Sequence, residues 1–400
     1  MATRSEAAPA PAPSPARLHD VDALRGFALL GILMVNIGYF ASGYTFHGTA
    51  DPAFRSTADE AVRSAVTLLF TMKFYVLFSF LFGYSLTLQT AVSERAGAAP
   101  APRHLRRSAG LLVLGLLHAV LLFQGDILAT YAVLGLVLYA FRHVRTRTAL
   151  VAAAVLVGWV VLIFSLLALA APVGVDEKAA LEAGRATTEA LAGGPASIIA
   201  EHLENLPAMA VALLFQQAPT ALAMFFVGLA AGRLGVLAEP ARHAVLLRRV
   251  QWIGLAVGGT GAMAYAVLDG SRPFAAIAIA SVTAPLLSAA YATTLLRVFR
   301  RGAGQRVRGA LAPAGRMALT NYLSQSLVCV LLFTGAGAGL VGSVPPAGVL
   351  GIAAALFAVQ LLWSRWWLGR HRYGPVEYAL RAFSYASLPG RGTPAASRRG

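Results

Sequence analysis

HDVDALRGFALLGILMVNIGYF, residues 19–40, begins with four titratable side chains, His19, Asp20, Asp22 and Arg25, and becomes an apolar run from Gly26 onward. One polar residue, Asn36, stands inside that run. At 1.5 Å per helical residue it lies about 16 Å above Arg25, near the middle of a hydrocarbon core roughly 30 Å thick. Asp22 and Arg25, three positions apart, can pair on one helix face at the membrane boundary. The stretch therefore starts a membrane domain and sets its orientation.

The remainder of the 400 residues has the same character. The chain is 58% hydrophobic and 12% charged, with a mean hydropathy of +0.67, whereas a soluble domain carries roughly 25% charge. Ten apolar stretches are long enough to span, at about 24–40, 66–90, 109–124, 126–141, 149–171, 209–232, 250–268, 274–297, 317–340 and 347–368. The fold expected is an all-α polytopic membrane protein of about ten transmembrane helices. Its single cysteine, Cys329, falls inside a span, which leaves no disulfide framework. Of the 33 basic residues 31 are arginine, beside abundant alanine. A GC-rich bacterial genome produces that bias, and no nucleic-acid partner is expected. The partner is the lipid bilayer of a bacterial inner membrane.

The net charge of +16 is explained by topology. With the N-terminus inside and ten spans, 27 of the 33 basic residues fall on the cytoplasmic side. The outer side holds Arg55, Arg63, Lys73, Lys178, Arg185 and Arg272, together with 11 of the 17 acids. This positive-inside pattern puts both termini in the cytoplasm.

Residues 1–17, rich in Pro and Ala, cannot build a core and read as a disordered tail, as do residues 386–400. An uncleaved first span is expected rather than a signal peptide, since Arg25 interrupts the approach to the apolar run. Residues 18–297 form the membrane domain's first eight helices, and residues 298–385 a basic loop and the last two helices of the same bundle. The longest outer loop, residues 172–207, reads as one or two surface helices broken at Gly193-Gly194-Pro195. No metal-ligand spacing, phosphate-cradling glycine loop or nucleophile elbow occurs, so neither a metal nor a bound cofactor is expected.

Chemistry is sought among the polar residues that a membrane should exclude. His118 lies about 15 Å into the third span, where an ionisable group either bonds a neighbouring backbone or faces a functional cavity. Asp126, at the turn into the fourth span, reads equally as a helix N-cap. Lys73 either snorkels outward or pairs with Asp126. In GRMALTNYLSQS, residues 315–326, Arg316, Thr320 and Ser324 recur every four residues with Asn321 and Gln325 beside them. Such a polar stripe glues helices together or lines a wet cleft. The shared depth of Asn36, His118 and Gln325 favours a cleft.

DALRGFALLGILMVN, KFYVLFSFLFGYSL, the His118…Gly125-Asp126-Ile127-Leu128 segment, GRMALTNYLSQS and GPVEYALR (374–381) together resemble the YeiB-like bacterial membrane proteins, whose C-terminal half is a domain of unknown function, DUF418. The family is grouped with transmembrane acyltransferases, among them the type-3 membrane acyltransferases and the heparan glucosaminide acetyltransferase-like proteins. In type-3 acyltransferases an essential His stands eleven positions after the Arg of the first span. Here Arg25 matches that Arg, but the eleventh position is Asn36, which cannot serve as a general base.

The resemblance implies acyl transfer from a cytosolic acyl-CoA co-substrate to an extracytoplasmic acceptor. His118 would then be the base, Asp126 and Lys73 would orient the acceptor, and Arg25 and Arg316 would meet the donor phosphates. Asn36, Asn321 and Gln325 would line the same cleft. The alternative is a solute or lipid transporter gated by Asp126 and Lys73, or a membrane protein with no catalytic activity.

Overall fold

Runs of apolar residues that must satisfy their backbone without water form helices, and the computed structural model, which describes residues 15–95, 100–170 and 176–386, contains no strand among them. Nearly all of both expected tails lies outside these residues. The helices are α1 (Pro15–Ala41), α2 (Thr57–Leu69), α3 (Lys73–Arg95), α4 (Pro100–Leu121), α5 (Leu128–Ala140), α6 (Thr146–Ala170), α7 (Glu177–Ala192) and α8 (Pro195–Ala212). They continue as α9 (Ala218–Arg233), α10 (Ala244–Ile253), α11 (Gly259–Leu268), α12 (Pro273–Val298), α13 (Gly302–Arg316), α14 (Ala318–Phe333), α15 (Pro346–Leu368) and α16 (Pro375–Tyr385). Short π-helical turns join α8 to α9 and α10 to α11, so each pair runs on as one rod.

Eight of the ten expected stretches correspond to helices long and apolar enough to cross a membrane. The other two, α5 and α14, have 13 and 16 residues, or about 20 and 24 Å, and fall short of a full crossing. That shortness has a consequence: the turn between α4 and α5 is buried, with Phe123, Gln124 and Asp126 each 3–4% exposed.

The stretch around Arg25 is central. In α1, 56% of the apolar window is buried, against 17% in α6, whose Val155, Trp159, Leu162 and Leu166 face outward. Apolar side chains exposed in this number suit lipid and would aggregate in water. Helices α3, α13, α14 and α15 pack around α1. The α1–α13 crossing depends on Gly26 and Gly315, since a Cβ at either would overlap the other helix's backbone. The segment expected as a basic loop is thus largely helix. Leu311, Ala312, Ala314 and Gly315 of α13 are buried, while Arg306 stays exposed and Arg308 pairs with Asp20 at 3.2 Å.

The outer segment forms two helices, α7 and α8, broken at Gly193-Gly194 with Pro195 opening α8, as the sequence indicates. Asp176 caps α7 by accepting the Ala179 N–H at 3.2 Å. The second expected span is bent: α2 ends at Leu69 and α3 begins at Lys73, with Met72 between them at φ 68°, a left-handed backbone that few side chains adopt.

Candidate functional site: a buried histidine relay beside an arginine-mouthed cleft

Helices α4 and α5 form a tight hairpin, and its closing turn folds Asp126 back onto α4. His118 Nδ1 lies 2.8 Å from Asp126 Oδ1, and the other carboxylate oxygen accepts the Ala129 N–H at 2.7 Å. Asp126 therefore satisfies the first turn of α5, as the N-cap reading expects, and it also orients a histidine, a role the sequence did not suggest. On the far side of the ring, His118 Nε2 lies 2.8 Å from Ser326 Oγ on α14. His118, Asp126 and Ser326 are each 2–3% exposed.

The polarity of this chain follows from its ends. A carboxylate that already accepts one N–H offers only acceptors, so His118 Nδ1–H is the donor toward it. A neutral ring then presents a lone pair at Nε2, and the Ser326 hydroxyl donates to it. Packed around the ring are Tyr322, 5.0 Å between centroids, and Phe123, 6.3 Å. Phe123 in turn stacks on Phe40, and His202 of α8 donates from Nδ1 to the Val120 carbonyl at 3.0 Å. The outer helical layer thereby covers the hairpin turn.

Toward the N-terminal end of α1 the bundle opens into a cleft of two adjoining chambers, about 230 Å³ and 530 Å³. Arg25, Arg107 and Arg316 line the smaller one, whose deeper wall is apolar (Leu29, Ile32, Phe78) and ends at Tyr131 and Tyr322. Arg25 pairs with Asp22 at 2.8 Å and donates to Ser85 Oγ, while Arg107 donates to Gln89 Oε1 at 2.6 Å. Gln89, His104, Arg107 and Glu377 are common to both chambers. Glu377 is committed elsewhere: it accepts the Leu319 and Thr320 N–H groups at 2.8 and 3.1 Å and the Thr320 hydroxyl at 2.5 Å, capping α14.

The larger chamber adds Arg103 and Arg381, which lie over the Tyr385 ring at 4.1 and 4.4 Å. Cation exceeds anion throughout, so the cleft attracts an anionic group at its mouth and an apolar one at its depth.

Of the residues singled out in the sequence, His118 and Asp126 come together, and so do Arg25 and Arg316. Asn36 does not join them. It is half-buried on α1 and makes no hydrogen bond among the described residues. Lys73 sits apart as well, its Nζ donating to the Thr67 carbonyl at 2.8 Å, so it satisfies a carbonyl in the last turn of α2 and forms no pair with Asp126.

Asn321 and Gln325 face away from the cleft. Asn321 Nδ2 donates to Ala314 O at 3.0 Å and Ser364 Oγ at 2.9 Å, and Gln325 Nε2 donates to Gln360 Oε1 at 2.8 Å. At about 100° per residue, Leu319, Tyr322 and Ser326 share one face of α14, and Ser324, Asn321 and Gln325 the opposite one. Of the expected stripe, Ser324, Asn321 and Gln325 join α14 to α15 rather than lining the cleft, Thr320 bonds Glu377 of α16, and Arg316 lines the cleft. Sequence reasoning missed Ser326, Tyr322 and Arg107. The available signal was this second face, with Tyr322 and Ser326 one turn apart.

Over 395 residues the chain is 32% identical to "Uncharacterized protein YxaH" of Bacillus subtilis (strain 168), a match that covers 93% of this chain and 95% of the relative. It is 29% identical over 380 residues to "Uncharacterized protein YeiB" of Escherichia coli (strain K12), covering 90% and 94%. The chain belongs to the YeiB-like family. Residues 231–387 match the family model described as "Protein of unknown function (DUF418)". That segment of a YeiB-like protein supplies Arg316, Tyr322, Ser326 and Glu377, whereas His118, Asp126, Arg25 and Arg107 come from the helices before it.

Proposed function

We propose that this multi-pass membrane protein is an acyltransferase of the bacterial inner membrane, taking an acyl group from a cytosolic acyl-CoA and delivering it to an acceptor on the extracytoplasmic side. The observation that carries the reading is the His118–Asp126 pair buried behind the apolar end of an arginine-mouthed cleft. Arg25, Arg107 and Arg316 suit the phosphates of the donor, and the Leu29–Ile32–Phe78 wall suits its acyl end. His118 acts as general base through Nε2, which lies within hydrogen-bond reach of a hydroxyl. Asp126 is a positioning residue: it fixes the ring's tautomer and stabilises the imidazolium that forms.

The transport reading loses its gate, because Lys73 and Asp126 have separate partners. The test is release of CoA from acetyl-CoA and octanoyl-CoA by the purified protein in proteoliposomes. Replacing both Arg107 and Arg316 by Gln should raise the donor KM by about a hundredfold or more, as expected for two charge-assisted contacts worth roughly 1.5–3 kcal/mol each. An unchanged KM, or no CoA release by the unaltered protein, counts against the reading.

A further inference from the structure

Serine hydroxyls inside membrane helices ordinarily donate to the carbonyl four residues back. Ser79, Ser85 and Ser281 of this protein do so. Ser326 does not. Its hydroxyl is bonded instead to His118 Nε2, 208 positions away in the chain, and it has no other hydrogen-bond partner among the described residues. A hydroxyl donating to a histidine whose other nitrogen is bound by a carboxylate has the connectivity that raises a serine's nucleophilicity.

A second observation bears on a ligand. One turn back on the same face of α14, Tyr322 is 4% exposed and lines the end of the cleft. Its hydroxyl approaches the Ile127 backbone but has no partner in hydrogen-bond geometry among the described residues. A buried O–H without a partner is costly unless something else binds it. Tyr322 also touches His118, so it is the wall shared by the cleft and the relay.

We propose that Ser326 is the nucleophile and carries the acyl group as an ester between donor and acceptor. The proposal rests on the acyl-transfer reading and adds to it the residue that is covalently modified. Rotation of Tyr322 admits the thioester from the cleft. Ser326 Oγ attacks the thioester carbonyl carbon while its proton passes to His118 Nε2. The new C–O bond forms, the C–S bond breaks, and the departing thiolate takes the proton from His118, which leaves acyl-Ser326 and free CoA. The Tyr322 hydroxyl donates to the carbonyl oxygen as negative charge develops on it. In the second half an acceptor hydroxyl attacks the same carbon, its proton going to His118 Nε2. The C–Oγ bond breaks and Ser326 recovers a proton from His118.

The test is a single-turnover experiment on the full-length protein in nanodiscs, with acetyl-CoA or octanoyl-CoA labelled in the acyl group and no acceptor added. The expected result is one acyl group per chain, located by mass spectrometry on the peptide containing Ser326. Ser326→Ala should abolish the adduct, and His118→Ala should slow its formation at least a hundredfold. Ser326→Cys, which preserves size and a weak donor, should take the label as a hydroxylamine-labile thioester, and it guards against a fold lost in the alanine variant. CoA released with no adduct on residue 326, or an adduct found on His118 instead, overturns Ser326 as carrier and leaves acyl transfer standing. Neither CoA release nor adduct with either donor overturns both.

Discussion

His118 and Asp126 stand out in the sequence because an ionisable group inside an apolar run is expensive, and a chain that keeps two within eight residues has a use for them. Ser326 does not stand out. A hydroxyl in a helix can be satisfied by its own backbone at no cost, so only the fold reveals that this one is bonded across the bundle. Asn36 is the converse case. Its depth along α1 suggested a shared cleft, but depth says nothing about rotation around the helix axis. The relay also depends on a residue with no side chain. A Cβ at Gly115 would overlap Ala129 N and come 2.7 Å from Asp126 Oδ2, against the carboxylate that holds His118. Gly115→Ala should therefore cost about 1–3 kcal/mol by overpacking, lower the melting temperature in detergent and remove CoA release. Gly158→Ala on lipid-facing α6, where a Cβ meets nothing within 4 Å, should leave both unchanged or raise stability slightly. Equal effects of the two would mean that the α4–α5 hairpin is not the rigid element described.

Helices themselves were readable from hydropathy, and the break at Gly193-Gly194-Pro195 from turn chemistry. What hydropathy could not supply was which face of a helix meets which neighbour. The polar stripe is recognisable in the sequence, but the shared depth that favours a cleft there misplaces Asn36 and Gln325, because depth does not fix which way a helix face turns. The fold assigns Ser324, Asn321 and Gln325 to the seam with α15, where Gln360 Nε2 donates to Asn321 O and Ser324 Oγ, each at 2.9 Å.

Another seam docks the outer helix pair. His47 Nε2–H donates to Thr187 Oγ1 at 3.0 Å, and Thr187 donates to Glu201 Oε1 at 2.7 Å. Burial pushes the His47 pKa down, and the nearby Glu201 only partly opposes this. An undocked or unfolded His47 therefore binds protons more readily than the docked one. The docking contribution is complete above the ordinary histidine value of about 6.5 and is lost as pH falls through it toward the depressed docked value. Amide exchange in residues 177–212, corrected for intrinsic rate, should be faster at pH 5 than at pH 8, and His47→Gln should flatten that difference. Equal protection at both pH values would show that this histidine does not hold the layer.

At the scale of the molecule, the bundle gathers Arg25, Arg103, Arg107, Arg316 and Arg381 at one end of α1, the end that the proposed orientation puts in the cytoplasm. Their convergence was invisible in one dimension, because they come from four helices (α1, α4, α13 and α16) spread over most of the chain. Orientation can be checked without removing the native cysteine, since Cys329 is 1% exposed and the chain has no other. In intact cells, Glu182→Cys should react with an impermeant maleimide, and Arg306→Cys should react only after permeabilisation. The reverse pattern would move the cleft to the outer face and exclude a cytosolic donor.

Acyl transfer by this protein depends most directly on His118 as a proton acceptor. The measurement is CoA release from acetyl-CoA and octanoyl-CoA in proteoliposomes by the unaltered protein, His118→Ala and His118→Gln, at matched amounts of folded protein. Both variants are expected to fall by at least about 10²-fold, because glutamine keeps a hydrogen bond to Asp126 or Ser326 but cannot accept and return a proton. Substantial CoA release by His118→Gln would contradict the account and leave His118 as a structural link between α4 and α14.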